Sequence, residues 1–108
     1  MRAALALSRM VKAKYYVLKL GARGAFVFDG RLCHMVPAYN VRALDTTAAG
    51  DAFTAALALA YCESGCSDIL TAVRFANAVG ALTVTKIGAS KSLPTREEVV
   101  AFLSEQGR

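Results

Sequence analysis

Tryptophan is absent from this 108-residue chain, histidine occurs once, proline twice and cysteine three times. Acidic residues are also scarce, eight against thirteen basic ones, for a formal net charge of +5. Each shortage excludes something. A small, odd number of cysteines does not build a disulfide framework, and a reducing, cytoplasmic setting is expected. Cys33, His34, Cys62 and Cys66 are a conceivable zinc set, but their spacing fits no familiar ligand pair. The alternative is that the thiols are small buried hydrophobes. Lys and Arg are scattered along the chain, so the footprint of a nucleic-acid surface is missing. A positive balance still suits a phosphate-bearing ligand. No apolar run approaches the ~18 residues that span a bilayer, so no membrane partner is expected. What is plentiful is apolar: 56% hydrophobic residues argue against disorder and suffice for a core within one domain over residues 1–108.

The first fourteen residues are basic and lack acids. They read either as a transit peptide or, preferred, as a helix over 3–13 that leads into a strand. Tyr15–Leu20 is a short apolar run stopped by glycine, the pattern of a buried strand. Gly21–Gly24 is a tight turn, Ala25–Phe28 a second strand, Asp29-Gly30 a hairpin signal, and Leu32–Val36 a third strand. After Pro37, Tyr39–Val41 is expected to add one more short strand. The second half is helical. One helix is expected from about Gly50 to Ser64 with Gly65 as its stop. A second is capped by Ser67 with Asp68 in its first turn and ends near Val84. Gly88 marks a loop, and a third helix starts from the capping box Thr95-Arg96-Glu97-Glu98 and runs to near Glu105. Strands first and helices after suggest an α/β layered fold. Two or three strands cannot cover several apolar helices, so part of a sheet is expected to be missing.

The chain is organised around Asp45-Thr46-Thr47-Ala48-Ala49-Gly50-Asp51-Ala52-Phe53. It passes from one carboxylate through small residues to a second, then into a helical pattern at Phe53, Ala56, Leu57, Ala60 and Tyr61. A small-residue loop feeding a helix leaves the first backbone N–H groups unpaired, and with the helix dipole they favour an anion. A carboxylate standing there competes with that anion, so Asp51 needs a reason. It is either a plain helix-start carboxylate or a base beside a transferring phosphate.

This stretch resembles the PfkB carbohydrate kinase family, fitting every fixed position of its signature Asp-Thr-x-(Gly/Ala)-Ala-Gly-Asp-x-Phe. Three further segments are similar and fall in the family's order: Leu20-Gly21-Ala22-Arg23-Gly24, Arg74-Phe75-Ala76-Asn77, and Gly88-Ala89-Ser90-Lys91-Ser92-Leu93-Pro94. The resemblance implies the C-terminal part of a ribokinase-like three-layer α/β/α fold, with few strands and three to four helices. It implies a nucleotide-binding and catalytic portion without the N-terminal sugar-binding and lid portion. Ala48, in the Thr47-Ala48-Ala49 form, tilts the expected reaction to ATP-dependent phosphorylation of D-ribose to ribose 5-phosphate. Other PfkB sugar or nucleoside kinases, or a truncated nucleotide-binding remnant, are the alternatives.

By the same resemblance Asp51 is the catalytic base and meets the sugar, and the N–H groups of Ala48, Ala49 and Gly50 form an anion hole. Lys19, Leu20, Gly21, Ala22, Arg23, Gly24, Gly50, Asp51 and Asn77 face the nucleotide. Lys19 stands where the ribose-specific members have Thr; it either reaches a phosphate or is a solvated strand end. Asn77 falls at the adenine edge, or is simply a polar residue on a helix face. A monovalent cation, K⁺, is implied at the Asp45 carboxylate, the carbonyls of Thr47, Thr83, Lys86 and Gly88, and the Ser92 hydroxyl. Mg²⁺ is implied only as the companion of ATP. Full-length family members are expected to be homodimers. The chain alone, with nothing to position ribose, is expected to lack turnover.

Overall fold

The computed structural model describes residues 6, 9–10, 12–41, 49–85 and 94–106. Three antiparallel strands, β1 (Tyr16–Lys19), β2 (Ala25–Phe28) and β3 (Cys33–Val36), form a sheet in sequential order. Three helices follow: α1 (Ala49–Glu63), α2 (Ile69–Val84) and α3 (Arg96–Gln106). This is an α/β arrangement, as expected. Of the helix expected over 3–13, Ala6, Arg9 and Met10 are helical, Lys12 and Ala13 are not, and the rest lies outside the described residues.

The β1–β2 connection is a single 3-10 turn, Gly21–Arg23. Its closing bonds run from Arg23 N to Leu20 O (3.2 Å) and from Gly24 N to Gly21 O (3.2 Å). The β2–β3 hairpin is held by Asp29, whose Oδ1 accepts from the backbone N–H of Arg31 (2.9 Å) and Leu32 (2.8 Å). Those two donors, Leu32 first, hold the Asp29 carboxyl below its ordinary pKa. Gly30 at φ +98° supplies the backbone that a side chain would resist.

Helix boundaries follow their local chemistry. At the end of α1, Cys66 N–H bonds to Tyr61 O and Gly65 N–H to Cys62 O, both at 3.0 Å. These are the 6→1 and 5→2 bonds of a Schellman stop, with Gly65 at φ +69°. α2 departs by one residue from the expected cap: Asp68, not Ser67, is the N-cap and accepts from Thr71 N–H at 3.1 Å. Ser67 is occupied elsewhere, its Oγ donating to Ser64 O at 2.6 Å. α3 opens on the anticipated reciprocal box, with Thr95 N to Glu98 Oε1 at 3.0 Å and Glu98 N to Thr95 Oγ1 at 3.2 Å.

The core lies between one face of the sheet and the α1–α2 pair. Val17, Ala25, Val27 and Val36 meet Ala52, Phe53, Ala56, Val73, Ala76 and Val79 there. Alanines at the helix contact let α1 and α2 approach closely. Val99 of α3, 1% exposed, closes one end of this core. Tyr39–Val41 is not a strand. Pro37 ends the ladder by lacking a donor, and Tyr39 instead packs edge-on to Phe102, ring centroids 5.2 Å apart. The segment's apolar residues serve the core without a partner strand.

Candidate functional site

The carboxyl end of β1 and the first turn of α1, thirty-one residues apart in sequence, are brought together by one side chain. Lys19 Nζ donates to Thr54 Oγ1 at 3.0 Å and to Gly50 O at 3.3 Å. Thr54 Oγ1 in turn donates to Gly50 O at 3.0 Å, its own i−4 carbonyl. A cation beside a helix N-terminus is opposed by the helix dipole. Held there, the ammonium adds its charge to that of the unpaired N–H groups, and the combined field favours an anion.

Ala49 and Gly50 are the first two residues of α1, and Asp51 lies in its first turn with its side chain exposed. Among the described residues the Asp51 carboxylate has no hydrogen-bond or ion-pair partner. Lys19, Gly50, Asp51 and Thr54 are all exposed, so the site is a shelf rather than a closed cavity. Two surface hollows among the described residues lie elsewhere. One of about 540 Å³ is lined by Lys12, Ala13, Tyr16 and Gly30. The other, about 240 Å³, lies among Tyr15, Val27, Asp29, His34 and the start of α2.

The turn Leu20–Gly24 stands directly after Lys19, clasped by a Leu20 N–H bond to Gly24 O at 2.8 Å. Its two glycines differ. Gly21 (φ +59°) faces open space, with no heavy atom within 4 Å of where a Cβ would stand, so a ligand can approach its backbone. Gly24 (φ +108°) is buried against the end of β3, where a Cβ would overlap the Val36 carbonyl oxygen. Gly24 is therefore required by the fold itself. Ala22 and Arg23 are exposed on the turn.

Asn77 is 6% exposed, within α2. Its Nδ2 donates to the carbonyls of Val36 and Pro37, each at 3.3 Å. Two facing carbonyls require a donor, so the amide orientation is chemically determined. The side chain straps α2 to the end of β3, and its N–H bonds are spent on that strap. For the cation, only Thr83 falls within the described residues; Asp45, Thr47, Lys86, Gly88 and Ser92 lie outside them, as does Ala48 of the expected anion hole. Thr83 Oγ1 donates back to Val79 O at 2.7 Å. Its carbonyl belongs to the last turn of α2, where the Thr85 backbone N–H also reaches it and the helix dipole favours a cation. That donor type fits a weakly hydrated monovalent ion.

Thr54 was not among the expected site residues. The available signal was its position one turn after Gly50, on the same helix face as the site. The zinc set does not assemble: among the described residues no three His, Cys, Asp or Glu gather, and Cys62 and Cys66 are exposed. No described helix is long and apolar enough to cross a membrane.

Three comparisons bear on this geometry. The sequence profile of the pfkB family carbohydrate kinases matches residues 2–96. A ribokinase of Haemophilus influenzae is 41% identical over 87 residues, which cover 81% of this chain and 28% of that protein. Among solved structures, a ribokinase from Thermotoga maritima superposes with a TM-score of 0.87 at 39% identity, over 95% of this chain and 34% of that one. A fructokinase with bound ATP from Xylella fastidiosa gives 0.86 at 28% identity, over 99% and 37%. The chain thus spans less than a third of the length of the curated relatives it matches.

Proposed function

The chain belongs to the pfkB family of carbohydrate kinases, and from that premise we propose that residues 1–108 are the nucleotide-binding and phosphoryl-transfer portion of an ATP-dependent sugar kinase. The observation that carries this is the Lys19 ammonium held at the first turn of α1, the same turn that carries Asp51, whose carboxylate has no partner among the described residues. D-ribose is the proposed acceptor. Its support is the ribokinase likeness and the Thr47-Ala48-Ala49 form of the loop; fructokinase likeness keeps fructose as the competing acceptor.

In the proposed reaction the sugar hydroxyl oxygen bonds to the γ-phosphorus of ATP, the bond to the β–γ bridging oxygen breaks, and ADP leaves. Asp51 orients that hydroxyl and accepts its proton late in a largely dissociative transfer. The N–H groups of Ala48, Ala49 and Gly50 stabilise the charge spreading over the transferred phosphoryl. Lys19 neutralises phosphate charge, and the open backbone at Gly21, with Leu20, Ala22 and Arg23 around it, receives the nucleotide. Mg²⁺ would come with ATP, bound mainly through phosphates and water, and would supply neutralisation of phosphate charge. Asp45, Thr47, Thr83, Lys86, Gly88 and Ser92 would hold K⁺, whose charge would brace the loop that carries the anion hole.

Isothermal titration of the chain with ATP and ADP tests the nucleotide half of this reading. Saturable binding is expected, and its absence up to millimolar nucleotide would dismiss it. A second reading is a nucleotide-binding module without transfer. It is favoured by the chain's short span relative to its relatives and by an open shelf with no described element to seat a sugar. Ribose-dependent ADP release from the 108-residue chain alone would contradict that second reading.

A further inference from the structure

Thr54 touches the site, and the proposed phosphoryl transfer leaves it without a role. From Ala52 to Ala60, α1 is otherwise alanine and leucine with one phenylalanine, and Thr54 is the sole hydroxyl in that run. A β-branched residue is a weaker helix former than alanine. Thr54 is exposed, so packing does not account for it.

Its hydrogen bonds do. Thr54 Oγ1 donates its one proton to Gly50 O, which leaves the oxygen lone pairs free to accept from Lys19 Nζ. Lys19 Nζ also donates to Gly50 O, at 3.3 Å the longer of its two bonds. The three groups form a closed triangle. The ammonium lies against the helix backbone itself, since a Cβ at Gly50 would stand 3.6 Å from Nζ. A lysine left to itself extends its charged head into water, and the dipole at a helix N-terminus repels it further. With Gly50 O as the only acceptor, that repulsion would be opposed by the longer bond alone. An ammonium carries three donors. Two are engaged in the triangle, so one is left for a ligand, in contrast to Asn77, whose N–H bonds are spent on its strap.

We propose that Thr54 is a positioning residue whose hydroxyl holds the Lys19 ammonium at the first turn of α1, where its remaining N–H meets an oxygen of a bound polyphosphate. The inference rests on the reading of this shelf as a phosphate site. It makes affinity for the phosphate chain depend on Thr54, and leaves affinity for the nucleoside independent of it.

The test is titration calorimetry of the 108-residue chain with ATP, inorganic tripolyphosphate and adenosine. Thr54→Val keeps the β-branch and removes only the hydroxyl. It should weaken ATP and tripolyphosphate by about fivefold or more and leave adenosine unchanged, while Thr54→Ser should bind all three as the wild type does. In a Lys19→Met background the same change should add less than about twofold, because Thr54 acts through the ammonium. Circular dichroism checks that each variant folds, and Thr54→Ala supplies a second chain without the hydroxyl. Undiminished affinity for ATP and tripolyphosphate in folded Thr54→Val would overturn the proposal. So would an equal loss for adenosine, or a loss that persists in full without Lys19. ATP binding indifferent to Thr54 therefore removes this inference and keeps the nucleotide reading. Tripolyphosphate binding that depends on Thr54, with ATP unbound, does the reverse. Neither ligand bound at millimolar concentration would overturn both.

Discussion

Replacing Gly24 with alanine should unfold much of this sheet, while the same change at Gly21 should be mild. Gly24 sits at φ +108° and ψ −138°, a region essentially closed to residues with a side chain. The strain of forcing alanine there is about 1–3 kcal/mol. The added Cβ would also overlap the Val36 carbonyl oxygen and stand 2.7 Å from Ala38 N and 2.8 Å from Pro37 Cα. These are backbone atoms, so relief requires moving the end of β3 away from β2, where Ala25 pairs with Val36. Overpacking of this kind adds about 1–3 kcal/mol, and a combined loss of roughly 2–6 kcal/mol is expected. That is a large share of the ~5–15 kcal/mol that stabilises a domain. Gly21, at φ +59° in open space, should lose only about 1–2 kcal/mol. Urea unfolding followed by far-ultraviolet circular dichroism compares the two. If Gly24→Ala lies within ~1 kcal/mol of Gly21→Ala, the close approach assigned to Gly24 is wrong.

Lys19→Met should weaken ATP binding by about tenfold or more, because a charge-assisted phosphate contact is lost; unchanged affinity by titration would refute the phosphate role. Asn77→Ala should cost ~1–3 kcal/mol by leaving the Val36 and Pro37 carbonyls unsatisfied, with ATP affinity intact. Lost affinity at unchanged stability would return the residue to the adenine edge. Asp68 has its pKa lowered by hydrogen bonds from the Thr71 backbone and then its side chain. A lowered folded pKa stabilises above the unfolded value near 4 and is lost as pH falls through the folded one. The stability gap between wild type and Asp68→Asn should thus be present at neutral pH and close below about pH 4; a gap independent of pH would contradict the cap.

What could be read from the sequence was local. β2 was legible to the residue because Gly24 and Asp29-Gly30 punctuate an apolar run, and the Thr95–Glu98 box was legible because both halves of it lie within four residues. The Asp68 cap was misplaced by one because Ser67 and Asp68 both carry a suitable oxygen, and only the fold engages Ser67 with Ser64. Tyr39–Val41 alternates like a strand, yet Tyr39 is drawn into the core against Phe102. The strap from Asn77 to β3 and the clamp from Lys19 to α1 join segments thirty-one or more positions apart. No spacing rule announces such contacts. Family likeness located the neighbourhood of the site, and Thr54 emerged only from geometry.

The central claim is that Asp51 at the head of α1 takes the sugar proton. It is tested most directly by supplying the rest of the domain: a Thermotoga maritima ribokinase whose matched C-terminal region is replaced by this chain. Ribose-dependent ADP release is expected from the chimera. Asp51→Asn should lower turnover by about 100-fold or more, with ATP still bound at similar affinity by titration. Turnover retained in the Asp51→Asn chimera would contradict the account.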